Sequence, residues 1–481
     1  MTNVSLSLKR AQAVAAAVVL AIAIATTIAG CTVGPRYARP TYPTPASFRG
    51  ADEAPIVSDA KDSLGDEQWS QVFREPELQS LIRTALTNNY DVRIAAQRVL
   101  EAQAQVRITR SQEFPQITGG GTAIGATLPT NNLGINNTIA SPLAFGTINL
   151  GATWTPDFWG LYRKQTEAAR AQLLAQAWAQ RAVRLSLVQQ VVTTYIDLRT
   201  LDRQLEITKQ TLKVRQDSLQ LTETLERGGS APLSDVRQAE QLLYTASSEL
   251  PQLEQQIQQQ ENAMNLLLGA NPGPIAHTAP NALAPPPQDL PPGIPSQLLE
   301  RRPDIQQAEQ TLVAANAQIG VARAQFFPQL SLTGSAGFGG SALSDLVDGS
   351  SKTIYGIGTL TQPLFEGGKL RGQLKLSRET KEEMVITYQK TIAGAFRDVS
   401  NALIALNKQR TYREEQEKLV AAAQDATRLA RIRYEGGATS YLEVLTTDSS
   451  LFSAQLNLAS AQQGEALTLV QLYSALGGGW Q

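Results

Sequence analysis

Long runs without helix-breaking residues set this chain apart. Residues 161–227 contain neither Gly nor Pro, and a second run, residues 373–435, is interrupted only by Gly394. Inside the first run, apolar residues recur seven positions apart: Val191, Leu198, Leu205, Leu212 and Leu219. At about 1.5 Å per residue the first run predicts a helix roughly 100 Å long, far beyond the ~11–12 residues of an average helix. The pattern therefore predicts long rods that cross a distance rather than fill a compact core.

Other segments alternate between apolar and polar positions with a period of two. In residues 329–338 every even position is apolar, Ala or Gly, and residues 148–158 alternate in the same way. Segments near 116–127 and 353–364 alternate less cleanly, and residues 129–142 and 341–351 are polar, turn-rich loops. Alternation over about ten residues is typical of membrane β-barrel strands. An antiparallel sheet of a soluble protein fits the same alternation.

The chain follows one plan twice, with an offset of roughly 207–213 residues between the copies. The matched markers are Asn89–Val92 with Arg302–Ile305, Phe114–Ile117 with Phe327–Leu330, Pro156–Gly160 with Pro363–Gly367, Gly228–Gly229 with Gly436–Gly437, and Leu268–Gly269 with Leu476–Gly477. Each copy is predicted as helix, strand, loop, strand, long helix, tight turn and return helix. The first helices, about 91–113 and 304–326, end before Phe-Pro because the residue before Pro is disfavoured in a helix.

The N-terminus has the layout of a secretory signal. Lys9 and Arg10 precede the small and apolar run 11–29, and the only cysteine of the chain, Cys31, follows directly. Ile28-Ala29-Gly30-Cys31 resembles a bacterial lipobox, so residues 1–30 are predicted to be a signal peptide and Cys31 to be acylated. A transmembrane anchor and a lone buried thiol are the alternatives. By resemblance to bacterial lipoproteins, Thr32 in place of Asp favours the outer membrane.

Composition and charge exclude several classes of function. The chain has 42 basic and 43 acidic residues, and removal of residues 1–30 leaves a net charge of about −3, so nothing favours nucleic acid. We find no phosphate-binding Gly-rich loop followed by Lys and no paired His/Cys set. The only histidine, His277, lies among Pro and Ala and is interpreted as structural or solvated. We therefore predict that the chain is not an enzyme and holds no metal or cofactor.

Four strands per chain cannot close a membrane barrel, which needs at least about eight. Open strand edges are not tolerated in hydrocarbon, so strands in a membrane would require several copies of the chain. A dimer would supply eight strands, whose interior side chains would fill, and a trimer would supply twelve and leave room for a lumen.

Three segments resemble one family closely. They are Leu290–Ile305 (LPPGIPSQLLERRPDI), Cys31–Tyr37 (CTVGPRY) and Arg433–Leu445 (RYEGGATSYLEVL). With these segments the chain resembles the outer membrane factors of RND-type tripartite efflux pumps, in the TolC-like, OprM-like (NodT-type) lipoprotein branch. The resemblance implies an α+β membrane protein: a homotrimer whose 12-stranded outer-membrane barrel continues into a 12-helix periplasmic tunnel with a mixed equatorial domain.

The same resemblance implies the partners, the location and the domain limits. The partners would be a periplasmic membrane-fusion adaptor, an inner-membrane RND-type transporter and the lipid of the outer membrane of a Gram-negative bacterium. The predicted segments are 1–30 signal peptide, 31–74 Pro-rich N-terminal and equatorial region, 75–270 first repeat, 271–297 Pro-rich equatorial linker, and 298–481 second repeat.

The resemblance also assigns candidate sites at the periplasmic tips. The adaptor would contact the two small-residue turns, formed by Gly228, Gly229, Ser230, Ala231, Gly436, Gly437 and Ala438. The periplasmic gate would involve Tyr441, Leu442, Glu443 and Asp448. Relatives commonly carry Asp where this chain has Thr446, so either Glu443 supplies the acidic ring or Tyr441 and Leu442 close the tunnel by bulk. A solvated helix face is the alternative for Glu443 and Asp448, and Pro251 is expected to kink or break its helix.

The predicted function is a passive exit duct that exports drugs or other toxic small molecules and is opened at its tip by the adaptor. A type I protein secretion duct shares this fold. A periplasmic coiled-coil scaffold lipoprotein is the alternative from another class, although a scaffold would have no use for four lipid-compatible strands.

Overall fold

The computed structural model describes residues 32–50, 63–126, 143–276, 293, 295–341 and 351–478. The predicted signal peptide, Cys31, His277, most of the linker and most of both predicted loops lie outside the described residues. The predictions made for them therefore stay predictions.

Long helices dominate the secondary structure. The helices are α1 Trp69–Val72, α2 Pro76–Asn88, α3 Tyr90–Ser111, α4 Leu161–Arg227, α5 Leu233–Leu267, α6 Leu298–Arg301, α7 Pro303–Ala324, α8 Lys369–Glu435 and α9 Tyr441–Ala475. The strands are β1 Gln116–Ala126, β2 Leu143–Trp154, β3 Gln329–Gly340 and β4 Lys352–Thr361, and short 3₁₀ turns span Leu64–Asp66 and Pro295–Gln297. The two rods α4 and α8 have 67 residues each, and the return helices α5 and α9 have 35 each.

Two boundaries and one helix interior differ from the sequence predictions. Helix α8 begins at Lys369 rather than Gln373, because a single Gly at position 372 costs a helix only about 1 kcal/mol. The strand predicted over 148–158 ends at Trp154, because Pro156, two residues later, has no N–H to donate to a strand ladder. Of the kink or break expected at Pro251, the break does not occur. Helix α5 continues through this exposed residue. At a solvated helix surface, water can bond the carbonyl group that a proline leaves without an N–H partner.

The chain divides into two compact units. One comprises residues 1–40, 100–175 and 309–387, and the other comprises residues 41–99, 176–308 and 388–481. The first unit holds the sheet and the adjoining parts of α3, α4, α7 and α8. The second holds α1, α2, α5, α6 and α9 with the remaining parts of the long helices. Among the helices of the described residues, none combines the length and the apolarity needed to cross a membrane.

The four strands form one antiparallel sheet in the order β1-β2-β3-β4. Its register pairs Gln116 with Thr153, Asn149 with Gly337 and Thr333 with Ile357. Directly opposite residues share a face, so the alternation sorts most side chains into an apolar and a polar face. One face carries Ile117, Ile148, Leu150, Trp154, Leu330, Leu332, Phe338, Ile354 and Leu360, with Lys352 at its end. The other carries Thr118, Thr122, Thr147, Asn149, Thr153, Ser331, Thr333, Ser335 and Thr359.

The main apolar core lies in the second unit. Helix α2 packs Leu78, Ile82 and Ala85 against the middle of α4, where Val188, Val191 and Val192 are buried. The middle of α8 and the end of α9 complete the cluster through Val399, Leu403, Leu472 and Tyr473. Of the seven-residue apolar series predicted in α4, Val191 and Leu198 are fully buried, and the three later members are half-buried.

Candidate gate at the helical tips

Both helix-to-helix turns have the same hydrogen-bond geometry. After α4, Gly229 N–H donates to Glu226 O (2.8 Å) and Ser230 N–H donates to Leu225 O (2.8 Å). After α8, Gly437 N–H donates to Tyr434 O and Ala438 N–H donates to Arg433 O in the same pattern. This is a Schellman motif, which needs a left-handed residue just past the helix end. Gly229 and Gly437 supply it, with φ of +72° and +71°.

The first glycine of each turn is not required by the backbone. Gly228 and Gly436 have no positive φ. A Cβ at Gly228 would lie 3.5 Å from the nearest backbone oxygens, and a Cβ at Gly436 would make a tighter contact, 3.3 Å from Ile432 O. The predicted contact residues of both turns are exposed, apart from Ala231, which is half-buried. The two turns therefore present small side chains to the outside, and one glycine in each pair is free for another role.

Tyr441, the first residue of α9, is buried. Its hydroxyl lies 3.0 Å from Ser218 Oγ on α4, and its ring meets the Tyr434 ring edge to face at 5.2 Å. Tyr434 in turn donates a hydrogen bond to Asp235 Oδ2 on α5 at 3.3 Å. Burial, followed by the nearby Asp235 charge, raises the pKa of Tyr434 to about 12. These contacts tie the ends of α4 and α8 to the starts of α5 and α9.

Asp448 lies at the centre of a buried ion cluster. Its carboxylate accepts from Arg215 Nε and from Arg431 Nη2, both at 2.9 Å. Arg215 also donates to Leu242 O at 2.7 Å and lies over the Phe452 ring, 5.0 Å from its centre. Asp448 exposes only 5% of its surface, so the interpretation as a solvated face is wrong for this residue. The cluster joins α4, α5, α8 and α9 at one level.

Leu442 and Glu443 occupy a different environment. Leu442 exposes 56% of its surface. Glu443 is half-exposed, pairs with Arg433 at 2.8 Å and accepts a hydrogen bond from Thr439. Exposed ion pairs contribute little, about 0–1 kcal/mol, so this pair can open at low cost. Of the four predicted gate residues, only Leu442 and Glu443 therefore reach the surface of the chain.

Sequence reasoning missed the partners that hold Tyr441 and Asp448. Arg215 stands three residues after Leu212 and four before Leu219, inside the apolar stripe of α4. A charged residue in such a stripe signals a buried partner, because an unpaired buried charge is costly. No comparable signal identifies Arg431, Tyr434 or Asp235, since charged and aromatic residues are common on solvated helices.

In the first unit, the residues that follow the predicted lipidation site bind to α7 and to the residues just before α4. Val33 N–H donates to Trp159 O at 3.1 Å, and Asn316 donates to Pro35 O at 3.2 Å. Arg39 pairs with the buried Glu309, which also accepts from Tyr37. A segment bound along its length in this way fixes where the N-terminal end of the described chain leaves the unit.

Comparisons with known proteins agree on one family. The model of the family described as Outer membrane efflux protein matches residues 81–270 and 294–478. The chain is 34% identical over 463 residues to the Cation efflux system protein CusC of Escherichia coli O6:H1, covering 96% of this chain and 98% of the relative. It is 36% identical over 466 residues to the Outer membrane protein OprJ of Pseudomonas aeruginosa, covering 96% of each. The crystal structure of the open state of the Neisseria gonorrhoeae MtrE outer membrane channel superposes with a TM-score of 0.83 at 28% identity, covering 94% of this chain and 99% of that one.

Proposed function

The chain belongs to the outer membrane efflux protein family and is the outer-membrane exit duct of a tripartite efflux system, and we propose that it works as a homotrimer. Three copies would join their four-stranded sheets into a 12-stranded barrel, which would continue into a 12-helix tunnel in the periplasm. A periplasmic adaptor and an inner-membrane RND-type transporter would supply cargo and energy. The cargo would be small molecules such as drugs or other toxic compounds.

The division of the sheet into two faces is the observation that carries this proposal. The apolar face suits lipid, and the described strand residues of the opposite face carry no charge. The edges β1 and β4 have no strand partner within the described chain. Unpaired edges cannot remain in hydrocarbon, so further copies must pair with them. A coiled-coil scaffold would need neither the faces nor the edges, and the relatives named above favour efflux over polypeptide secretion.

We place the gate at the turns between the long and return helices. In the closed state the Tyr434–Asp235 and Ser218–Tyr441 contacts would hold α8 and α9 against α4 and α5. Leu442 and Glu443 would then narrow the tunnel, while the buried Asp448 cluster would keep the four helices together. An adaptor opens such a gate only if it binds the open arrangement more tightly than the closed one.

We also propose that Cys31 carries the lipid of the mature protein. The signal-peptide layout supports this proposal. So do the hydrogen bonds of Val33 and Pro35 and the ion pair of Arg39, which hold this segment within the first unit. Acyl chains contribute about 0.8 kcal/mol per buried CH₂, and more than one chain is needed for stable anchoring.

The adaptor contact can be tested at the glycines that the backbone does not need. Gly228→Trp with Gly436→Trp should abolish export while trimers persist, because a partner helix could no longer approach the turns. Export is measured as drug susceptibility and dye accumulation in a strain lacking its own duct. Thr245→Trp, on the exposed face of α5 away from the turn, is the matched control and should leave export unchanged. Full export by the double variant at normal expression would contradict the adaptor contact.

A further inference from the structure

Among the strand residues whose side chains the structure describes, four large apolar groups break the pattern of the polar sheet face. Ile124 and Phe145 stand opposite each other on β1 and β2, and Tyr355 and Ile357 lie on β4, all on the face otherwise formed mainly by Thr, Ser, Asn, Gln and Gly. They expose 55%, 52%, 48% and 55% of their surface. In a membrane barrel this face would point to water, where large apolar groups have no evident use.

The two pairs lie at opposite edges of the sheet. Ile124 lies on the edge strand β1 with Phe145 beside it on β2, and Tyr355 and Ile357 lie on the other edge strand, β4. Within one chain, β3 separates them. A second copy that pairs its β1 with β4 of the first would bring both pairs side by side on one continuous face. A second copy of this chain is therefore the partner that these edges fit.

The duplication predicts the register of this contact. Phe114-Pro115-Gln116 corresponds to Phe327-Pro328-Gln329, which maps Ile124 onto Gly337. Gln116 pairs with Thr153 and Gln329 pairs with Thr361, so Thr153 maps onto Thr361, and Asn149 maps onto Ile357. Asn149 stands opposite Gly337 within the chain. Between copies, Ile357 would therefore stand opposite Ile124. This pairing also keeps each side chain on its own face.

The equivalent position inside one chain has a different chemistry. There Asn149 donates to Ser335 Oγ at 3.4 Å, and Gly337 has no side chain. At the copy-to-copy position both residues are isoleucine. Beside them, the Phe145 ring lies close to Gly339: a Cβ at residue 339 would be in van der Waals contact with Phe145 Cζ, at 3.4 Å. The apolar residues of this face thus lie at or beside the edges where two copies would meet, and the equivalent β2–β3 contact within the chain is polar.

We propose that Ile124 and Phe145 of one copy and Tyr355 and Ile357 of the next form an apolar band on the inner wall of the barrel, and that the band binds the apolar or aromatic part of uncharged cargo. Three such bands would line the exit. Because the described strands add no charge to this face, the band would retain organic molecules by contact area rather than by charge. This inference rests on the proposed trimeric barrel and adds a cargo site to it.

Disulfide trapping tests the contact first. Ile124→Cys with Ile357→Cys should give a covalent trimer on non-reducing gels after boiling, since opposite residues lie within about 5.5 Å. Ile124→Cys with Thr361→Cys is the control, because four residues along a strand span about 13 Å. A covalent trimer with Thr361 instead of Ile357, or with neither while native gels still show trimers, would overturn the contact. Absence of any oligomer of the unmodified protein would contradict the proposed function itself.

The cargo site is tested with single channels in planar bilayers. Phenyl β-D-glucoside and methyl β-D-glucoside are both neutral and differ by one aromatic ring. Phenyl glucoside should block the wild-type channel about two- to tenfold longer, as expected for one aromatic contact. Ile124→Thr with Ile357→Thr should abolish this ratio, and Thr122→Ser with Thr359→Ser, the neighbouring pair on the same face, should preserve it.

Either of two results would overturn the cargo site. One is equal blockade of the wild type by both glucosides, and the other is an unchanged ratio in the threonine variant. If the threonine variant does not assemble, Ile124→Val with Ile357→Val keeps the strand preference while removing apolar surface. A ratio that does not fall in the valine variant would contradict the site equally.

Discussion

Ile117, Leu360 and Ile354 in the sheet expose between 69% and 81% of their surface, whereas Asp448 and Arg215 near the helical turns expose 5% and 2%. The two regions invert the usual rule that apolar groups are inside and charges outside. The sheet leaves apolar groups uncovered, so in the proposed barrel it would depend on lipid and on other copies of the chain. The region of the helical turns pairs its buried charges within one chain, so those contacts need no partner.

The largest expected effect comes from breaking the internal pairing. Arg215→Met leaves Asp448 buried with only the half-exposed Arg431, and loss of one partner of a buried ion pair costs about 3–5 kcal/mol. Arg215→Met with Asp448→Leu should recover most of that loss, because it removes both buried charges. Thermal unfolding followed by helical circular dichroism measures both. A single variant as stable as the wild type would show that the cluster does not hold the four helices together.

The next largest effect is expected on the apolar face of the sheet. Ile148→Lys places a charge on the apolar face and should cost about 2–4 kcal/mol if that face lies in lipid at mid-depth. Thr147→Lys, one residue earlier on the opposite face, should cost far less. The measurement is the fraction of folded, heat-modifiable protein in outer membranes. Equal losses for both variants would show that the two faces do not have different surroundings.

A smaller effect is expected at Tyr434. Tyr434→Phe removes the hydrogen bond to Asp235 and should cost about 0.5–1.5 kcal/mol. The folded pKa of about 12 lies above the usual value near 10, so the unfolded state loses its proton first. The free energy of unfolding of the wild type therefore falls as pH rises from about 10 to 12. The difference in unfolding free energy between wild type and variant should close in that window. Urea unfolding from pH 8 to 12 measures the gap, and a gap that widens would contradict the contact.

The same contrast explains what the sequence predicts and what it does not. The strands follow from local alternation, as in residues 329–338. The turns follow from Gly229 and Gly437, because each of the two helix ends needs a left-handed residue. The Asp448 cluster joins residues of α4, α5, α8 and α9 that are up to 233 positions apart. Local periodicity cannot report such pairs, and Asp448 on its own looks like any charge on a solvated helix. Pro251 shows the converse. A local rule predicts a kink or break there, and the helix continues through this exposed position without a break.

Single-channel conductance in planar bilayers reports whether the duct is closed at its helical turns. The wild type should show low, flickering conductance, and Tyr434→Phe with Glu443→Ala, which breaks two contacts at the turns, should raise it. Glu415→Ala, which breaks the exposed Lys418–Glu415 pair of α8, should leave it unchanged. Identical conductance in all three proteins, or none in any of them despite a folded oligomer, would contradict a gate at these residues.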